Sequence, residues 1–148
     1  MFWSALAGFA HFVAYFAMTA ALVLELVLLQ ARMPAPVAKR IQRADRLLGV
    51  AALLLLIIGL LRVFYFEKGG DYYFSNLFFQ LKIGLFFAAA VLSIHPTLQF
   101  LRWGRDIDQE VELGEPVLLK LKKIIHWELV LMAAMMLCAS LMAKGFGL

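Results

Sequence analysis

Long apolar segments alternate with short polar loops along this 148-residue chain. The clearest segment, Leu47–Phe66, holds twenty residues and a single charge, Arg62. A helix of that length crosses the roughly 30 Å hydrocarbon core of a bilayer. The pattern therefore predicts an all-α, integral-membrane four-helix bundle in one transmembrane domain, 1–148. The spans are predicted at about 3–29, 45–66, 77–101 and 124–144.

Charge in the loops predicts the orientation of the bundle. Ten Lys and Arg residues lie in or beside the loops at about 30–44 and 102–123, whereas the second loop carries only Lys68 and the C-terminal end only Lys144. Because basic residues concentrate in cytoplasmic loops, both termini are expected outside (N-out/C-out). Within the third loop, Val111–Lys123 is predicted to form a short amphipathic helix on the membrane surface.

Composition narrows the classes of function. Hydrophobic residues make up 64% of the chain, and the mean hydropathy of +0.87 is typical of a membrane protein rather than a soluble domain. The net charge of +4 is explained by orientation and by contact with anionic lipid, so the expected partner is the lipid bilayer and no nucleic acid. The single cysteine, Cys138, excludes a disulfide framework. The sequence contains neither the common hydrolase motifs nor a strand pattern.

Polar residues inside the spans are expected to face the bundle interior, because they are costly in lipid. The rise per residue of a helix places His11, Arg62 and Lys82 at one depth near the outer face. One imidazole beside two cations suits an anionic apolar ligand, such as a porphyrin with its propionates. A simpler interpretation is that His11 is hydrogen-bonded within the bundle and that the two cations extend to the interface.

A second polar layer is predicted toward the cytoplasmic side. This inner polar cluster is expected to contain Glu25, Asp45, Glu128 and His126. It is interpreted either as a proton or cation relay or as structural ion pairs with basic residues at the loop ends.

Two stretches of the chain resemble an uncharacterised bacterial family of four-span membrane proteins. They are Arg62–Lys82 (RVFYFEKGGDYYFSNLFFQLK) and His95–Trp103 (HPTLQFLRW). The resemblance extends over nearly the whole chain, through AHF at His11, LELVLL around Glu25 and IHWEL at Ile125–Leu129. It implies a multi-pass protein of the bacterial inner (cytoplasmic) membrane and carries no established activity.

The layout is also similar to HemJ-type protoporphyrinogen oxidases and, more loosely, to CopD-type copper proteins. The similar features are an early histidine, here His11, the basic stretch RADRLLG before the second span, and an aromatic–x–x–Lys opening of the third span, here Phe79–Lys82. The HemJ resemblance implies haem b bound through His11, and Lys82 as an essential base or propionate partner. That type carries a methionine four residues after the histidine; here Tyr15 occupies that position, and Met18 follows on the same face.

Two hypotheses of different classes follow. In the first, a haem b- or porphyrin-binding protein is redox-active near the outer face. Its cofactor-binding residues are His11 (also the metal ligand), Tyr15, Met18, Arg62 and Lys82. In the alternative, a non-enzymatic membrane subunit or small transporter couples to protons or cations through the inner polar cluster. Copper handling by His11 and a methionine stripe is a third interpretation. A homo-oligomer or a membrane-complex partner is compatible with each.

Overall fold

The computed structural model describes residues 1–66 and 69–147; Glu67 and Lys68 of the second loop, and Leu148, lie outside the described residues. The described part contains five α-helices. They are α1 (Phe2–Leu28), α2 (Ala35–Leu61), α3 (Gly70–Phe74), α4 (Leu77–Leu101) and α5 (Glu115–Ala143). α2 runs directly into a π-helical segment, Arg62–Phe66, and two short strands are present, β1 (Arg32–Met33) and β2 (Val111–Glu112).

The predicted all-α membrane bundle is confirmed. Four helices are long and apolar enough to cross a membrane, namely α1, α2 with its π-helical extension, α4 and α5. Their outer faces expose large apolar side chains such as Phe16, Leu53, Val91 and Leu137. An apolar surface of this extent is stable against lipid tails and not against water.

Two helices begin earlier than the predicted spans. α2 begins at Ala35 and α5 at Glu115, and each carries a proline in its first turn. Proline favours the first turn, because the N–H that it lacks has no helical partner there. Pro36 therefore helps to start α2. The prediction of a surface helix over Val111–Lys123 is wrong: the first two residues form β2, and the chain from Glu115 onward belongs to α5.

The strands, which the sequence did not predict, join the first and third loops. β1 and β2 pair in antiparallel register, Arg32 with Glu112 and Met33 with Val111. Arg32 and Glu112 also form an ion pair, with 3.3 Å between Nε and Oε1, although both side chains are largely exposed. Gln42 Nε2 adds a second connection at this end, because it donates to the carbonyl oxygens of Phe100 and Gly104 at 2.8 and 2.9 Å.

The long helices pack as two antiparallel hairpins. α1 contacts α2 most extensively and α4 contacts α5, while smaller α1–α5 and α2–α4 contacts join the two pairs. Small buried residues such as Ala14, Ala21, Ala44 and Ala51 line the core, and small residues let helix axes approach closely in a membrane. The register of the first hairpin brings His11 opposite Gly59.

Candidate functional site

A cavity of about 680 Å³ opens at the end of the bundle that carries the π-helical segment and α3. That volume lies within the range of small-molecule binding sites. Every long helix contributes to its wall. The lining includes His11, Tyr15, Gly59, Arg62, Tyr72, Phe79, Lys82, Phe86, Met135, Met136 and Met142. Most of the wall is apolar or aromatic, and the polar groups are few.

The imidazole of His11 forms part of this wall. A Cβ built on Gly59 would lie 3.2 Å from His11 Cε1 and 3.7 Å from Nδ1, so the absence of a side chain at Gly59 lets the ring pack against α2. Nδ1 is buried and makes no hydrogen bond to any described residue. The ring is therefore positioned by packing against α2, where the backbone of Leu55 also interacts with it.

Two cationic side chains line the same cavity. Arg62 begins the π-helical segment, and its Cζ lies 4.0 Å from the position of a Cβ on Gly8 of α1. Lys82 Nζ lies 5.3 Å from the centre of the Phe79 ring, in cation–π geometry. Both cations interact electrostatically with His11. His11, Arg62 and Lys82, which were predicted to lie at one depth, thus lie around one cavity.

Tyr15 and Met18 occupy different environments. Tyr15 lines the cavity, but its hydroxyl donates a 2.5 Å hydrogen bond to the carbonyl oxygen of Met132 on α5. Met18 is 5% exposed and packs in the main hydrophobic core, outside the cavity lining. Neither side chain points an unengaged donor atom toward the His11 ring.

A cross-link between the C-terminal segment and the start of α4 closes this end of the bundle. Asn76 is fully buried; its Oδ1 accepts from the N–H groups of Phe78 and Phe79, and its Nδ2 donates to the carbonyl oxygen of Phe146 at 2.9 Å. The Leu77 N–H donates to the Gly147 carbonyl oxygen at 2.9 Å. Asn76 therefore caps α4 and holds the segment whose residues Lys144 and Gly145 line the cavity.

A second polar group lies toward the opposite end, among α1, α2, α4 and α5. Glu25, Asp45 and Glu128 are 0%, 8% and 2% exposed. Ser93 Oγ donates to Glu128 Oε1, and Thr97 Oγ1 donates to Asp45 Oδ1 at 2.7 Å. Both oxygens of Glu25 and Oε2 of Glu128 are buried without a hydrogen bond to any described residue.

Comparison with known proteins assigns the chain to a family. The family described as "Predicted membrane protein (DUF2214)" matches residues 3–147. The chain belongs to the DUF2214 family. Searches of curated proteins and of solved structures found no match. The first resemblance drawn from the sequence, to a four-span family, is thereby confirmed, whereas the likeness to HemJ-type and CopD-type proteins stays a prediction.

One member of the predicted inner cluster lies elsewhere in the DUF2214 chain. His126 is exposed, and its Nδ1 lies 3.1 Å from the carbonyl oxygen of Lys122 on its own helix. The physical reason is helical geometry: His126 precedes Glu128 by two residues, so their side chains point about 200° apart around α5. When Glu128 faces the core, His126 must face outward.

Two hydroxyl groups take the place expected for His126. Ser93 and Thr97 stand one turn apart on α4, so both face the same side of that helix. This i, i+4 pair of small polar residues in an apolar span was the signal that could have identified them. Among residues 1–66 and 69–147, no group of three or more His, Cys, Asp or Glu side chains has an arrangement that could hold a metal ion.

Proposed function

We propose that this DUF2214 protein binds an apolar anion of the porphyrin class in the cavity lined by His11. Haem b is the leading candidate for this ligand. His11 serves as the axial ligand, and Arg62 and Lys82 pair with the propionates. One observation supports the proposal: the half-buried imidazole of His11 and two cationic side chains line a single, mostly apolar cavity of ligand size.

The His11 ring suits an axial ligand because its neighbours fix its orientation. The ring contacts the backbone of α2 at Gly59, so rotation would move it into that helix. A haem-bound histidine coordinates through one ring nitrogen, while the other is oriented by its surroundings. His11 would hold the iron through one of its two ring nitrogens.

The walls suit the remaining parts of a porphyrin. Phe79, Phe86 and Met135 supply apolar and aromatic surface for the macrocycle. A guanidinium and an ammonium form charge-assisted hydrogen bonds with carboxylates, and these bonds are about twice as strong as neutral ones. A bound haem would supply one-electron redox chemistry at this end of the bundle.

Of the five cofactor-binding residues predicted from the sequence, His11 is the one that would hold the iron. Met18 lies in the core, and the Tyr15 hydroxyl is engaged by Met132, so neither side chain would hold the iron. The thioethers of Met135, Met136 and Met142 on α5 line the cavity. Thioether sulfur is an axial ligand in several haem proteins.

The charge pattern supports an orientation for this site. The basic first and third loops lie at the end remote from the cavity, joined by β1 and β2. With these loops in the cytoplasm, both termini and the cavity face outward, and a bacterial inner membrane is the expected location. A homo-oligomer or a membrane-complex partner stays a prediction.

Optical spectroscopy tests the proposal. The detergent-purified full chain is measured as isolated, after dithionite reduction and after haem reconstitution. We expect a Soret band and reduced b-type bands that are lost in His11→Ala and retained in His95→Ala, because His95 is exposed on α4. Pigment retained by His11→Ala, or failure of the wild type to take up haem, would overturn the assignment.

A further inference from the structure

We propose that Glu25, Asp45 and Glu128 form a proton-binding site within the membrane, which exchanges protons with the end of the bundle that carries β1 and β2. We call these three residues the carboxyl triad. This site is independent of any ligand in the cavity lined by His11, because it is built from different residues at the other end of the helices.

The first observation is convergence of acidic groups from three helices. α1 supplies Glu25, α2 supplies Asp45 and α5 supplies Glu128, and all three are buried. Glu25 interacts electrostatically with both other carboxyls, and Glu128 interacts with Asp45. The triad is therefore one electrostatic unit and not three separate surface acids.

The second observation is the lack of donors for Glu25. Its side chain is 0% exposed, and neither oxygen receives a hydrogen bond from any described residue. The two hydroxyls of α4 are used by the other acids, Ser93 by Glu128 and Thr97 by Asp45. A carboxylate in this position would lack both water and donors, which is the most costly state for a buried charge.

The third observation concerns the charges that surround the triad. On the neighbouring helices Arg43, Arg46, His95, Lys123 and His126 are exposed, and Lys122 of α5 is half-buried. Arg46 Nε donates to the Gln42 carbonyl oxygen on its own helix. Among the described residues the electrostatic neighbours of Glu25 are the two other acids, so no cation offsets the negative charge.

These observations together require a bound cation, and a proton fits the geometry. Three ionised carboxylates in a dry bundle would repel one another and lose their hydration. Addition of a proton from water converts one carboxylate into a neutral acid, which removes one negative charge without a coordination shell. A metal ion would need several ligands at short, similar distances, and the described part of the chain holds no such group.

The route of exchange follows from exposure and depth. Asp45 is the most exposed member of the triad, at 8%. Glu25 lies three residues before the end of α1, roughly 5 Å along the helix axis from the loop that contains β1. Protons therefore reach the triad from the side of the basic loops, through Asp45.

Infrared spectroscopy of the full chain in lipid nanodiscs tests the site directly. A protonated carboxylic acid has a C=O stretching band that a carboxylate lacks and that shifts in D2O. We expect this band in the wild type at neutral pH, a loss of intensity in Glu25→Gln, and unchanged intensity in Glu110→Gln. Glu110 is an exposed acid of the third loop and is the matched control.

Three outcomes would overturn the proposal. They are absence of the band in the wild type at neutral pH, a band that neither Glu25→Gln nor Glu128→Gln alters, and a wild-type band that disappears when Na⁺ or Ca²⁺ is added. The last would identify a metal-cation site instead. If Glu25→Gln does not fold, the wild-type spectrum and Glu128→Gln decide the question, because a reduced band in Glu128→Gln supports the triad.

Discussion

The imidazole of His11 packs against Gly59 so closely that a Cβ there would lie 3.2 Å from His11 Cε1. The two residues belong to neighbouring antiparallel helices, and their contact sets the position of the ring at the cavity wall. The same helix carries a second glycine, Gly49, with no described atom within 4 Å of a Cβ at that position.

The pair of glycines gives the first prediction. Gly59→Val should displace the His11 ring, and overpacking of this kind costs about 1–3 kcal/mol. We therefore expect haem affinity to fall by roughly ten- to hundredfold in a reconstitution titration. Gly49→Val adds the same side chain to the same helix without a neighbour, so its affinity should equal that of the wild type. Equal losses in both variants would show that the effect comes from α2 as a whole.

The C-terminal segment gives the second prediction. Gly145 and Gly147 both have positive φ, at 85° and 93°, but a Cβ on Gly147 would lie 2.7 Å from Phe78 Cδ2, whereas one on Gly145 meets no described atom within 4 Å. An alanine at either position bears the backbone strain of about 1 kcal/mol. Gly147→Ala adds a steric clash, so its unfolding temperature in detergent should be lower than that of Gly145→Ala. The reverse order would argue against the packing of this segment on α4.

Asn76 gives the third prediction, because its side chain has two separable roles. Asn76→Ala removes both the cap of α4 and the bond to Phe146, and we expect a loss of about 1–3 kcal/mol in unfolding free energy. Asn76→Ser keeps a capping oxygen and should recover part of that loss. Denaturant titration of the three proteins measures the ranking. Equal stability of the Ala and Ser variants would mean that the tail bond alone matters.

Tyr15 gives the fourth prediction. Tyr15→Phe keeps the ring and removes the hydroxyl that donates to Met132, and the carbonyl left without this donor should lower stability by about 1 kcal/mol. Because the hydroxyl is engaged away from His11, the haem spectrum of the variant should match that of the wild type. A shift of the Soret band in Tyr15→Phe would show that the Tyr15 hydroxyl acts on the bound haem and contradict this prediction.

The hydroxyls beside the carboxyl triad give the fifth prediction. Ser93→Ala and Thr97→Val each remove the donor that stabilises one carboxylate, and loss of a hydrogen bond to the charged form favours the protonated form. The infrared band of protonated acid should therefore grow in both variants at neutral pH. Thr19→Val is the control, since Thr19 Oγ1 bonds only to the Tyr15 carbonyl oxygen of its own helix. A band that grows equally in this control would dissociate the effect from the triad.

Hydropathy and the counting of residues along each helix predicted the features that a single helix determines. These are its length and the depth of its polar side chains. The membrane bundle follows from apolar length alone, and the heights of His11, Arg62 and Lys82 follow from counting residues from the ends of their spans. The face that each helix turns toward its neighbours is a property of the packed bundle. For His126 and Glu128 the spacing within one helix already prevents both from facing the same side, whereas the packing of the bundle decides which of the two faces inward.

Contacts between distant segments could not be predicted from the sequence, because they also depend on how the helices pack. The bonds of Gln42 to Phe100 and Gly104, and of Asn76 to Phe146, join residues 58 to 70 positions apart. A lone Gln or Asn in a loop or helix end carries no periodic signal of its partner. The pairing of β1 with β2 is likewise set by the arrangement of the hairpins, since two residues are too few to show a strand pattern.

The core between the cavity lined by His11 and the carboxyl triad is built mainly from apolar side chains, with Met18, Leu22, Leu48 and Ala51 all buried. From Tyr15 to Glu25 it extends roughly 15 Å along α1. An electric field passes through this apolar segment with little screening, because its effective dielectric constant is lower than that of water. At an effective dielectric constant of 20, one unit charge acts on another across that distance with about 1 kcal/mol. A change of charge at one end of the bundle is therefore expected to change the equilibrium constant for protonation or binding at the other end several-fold.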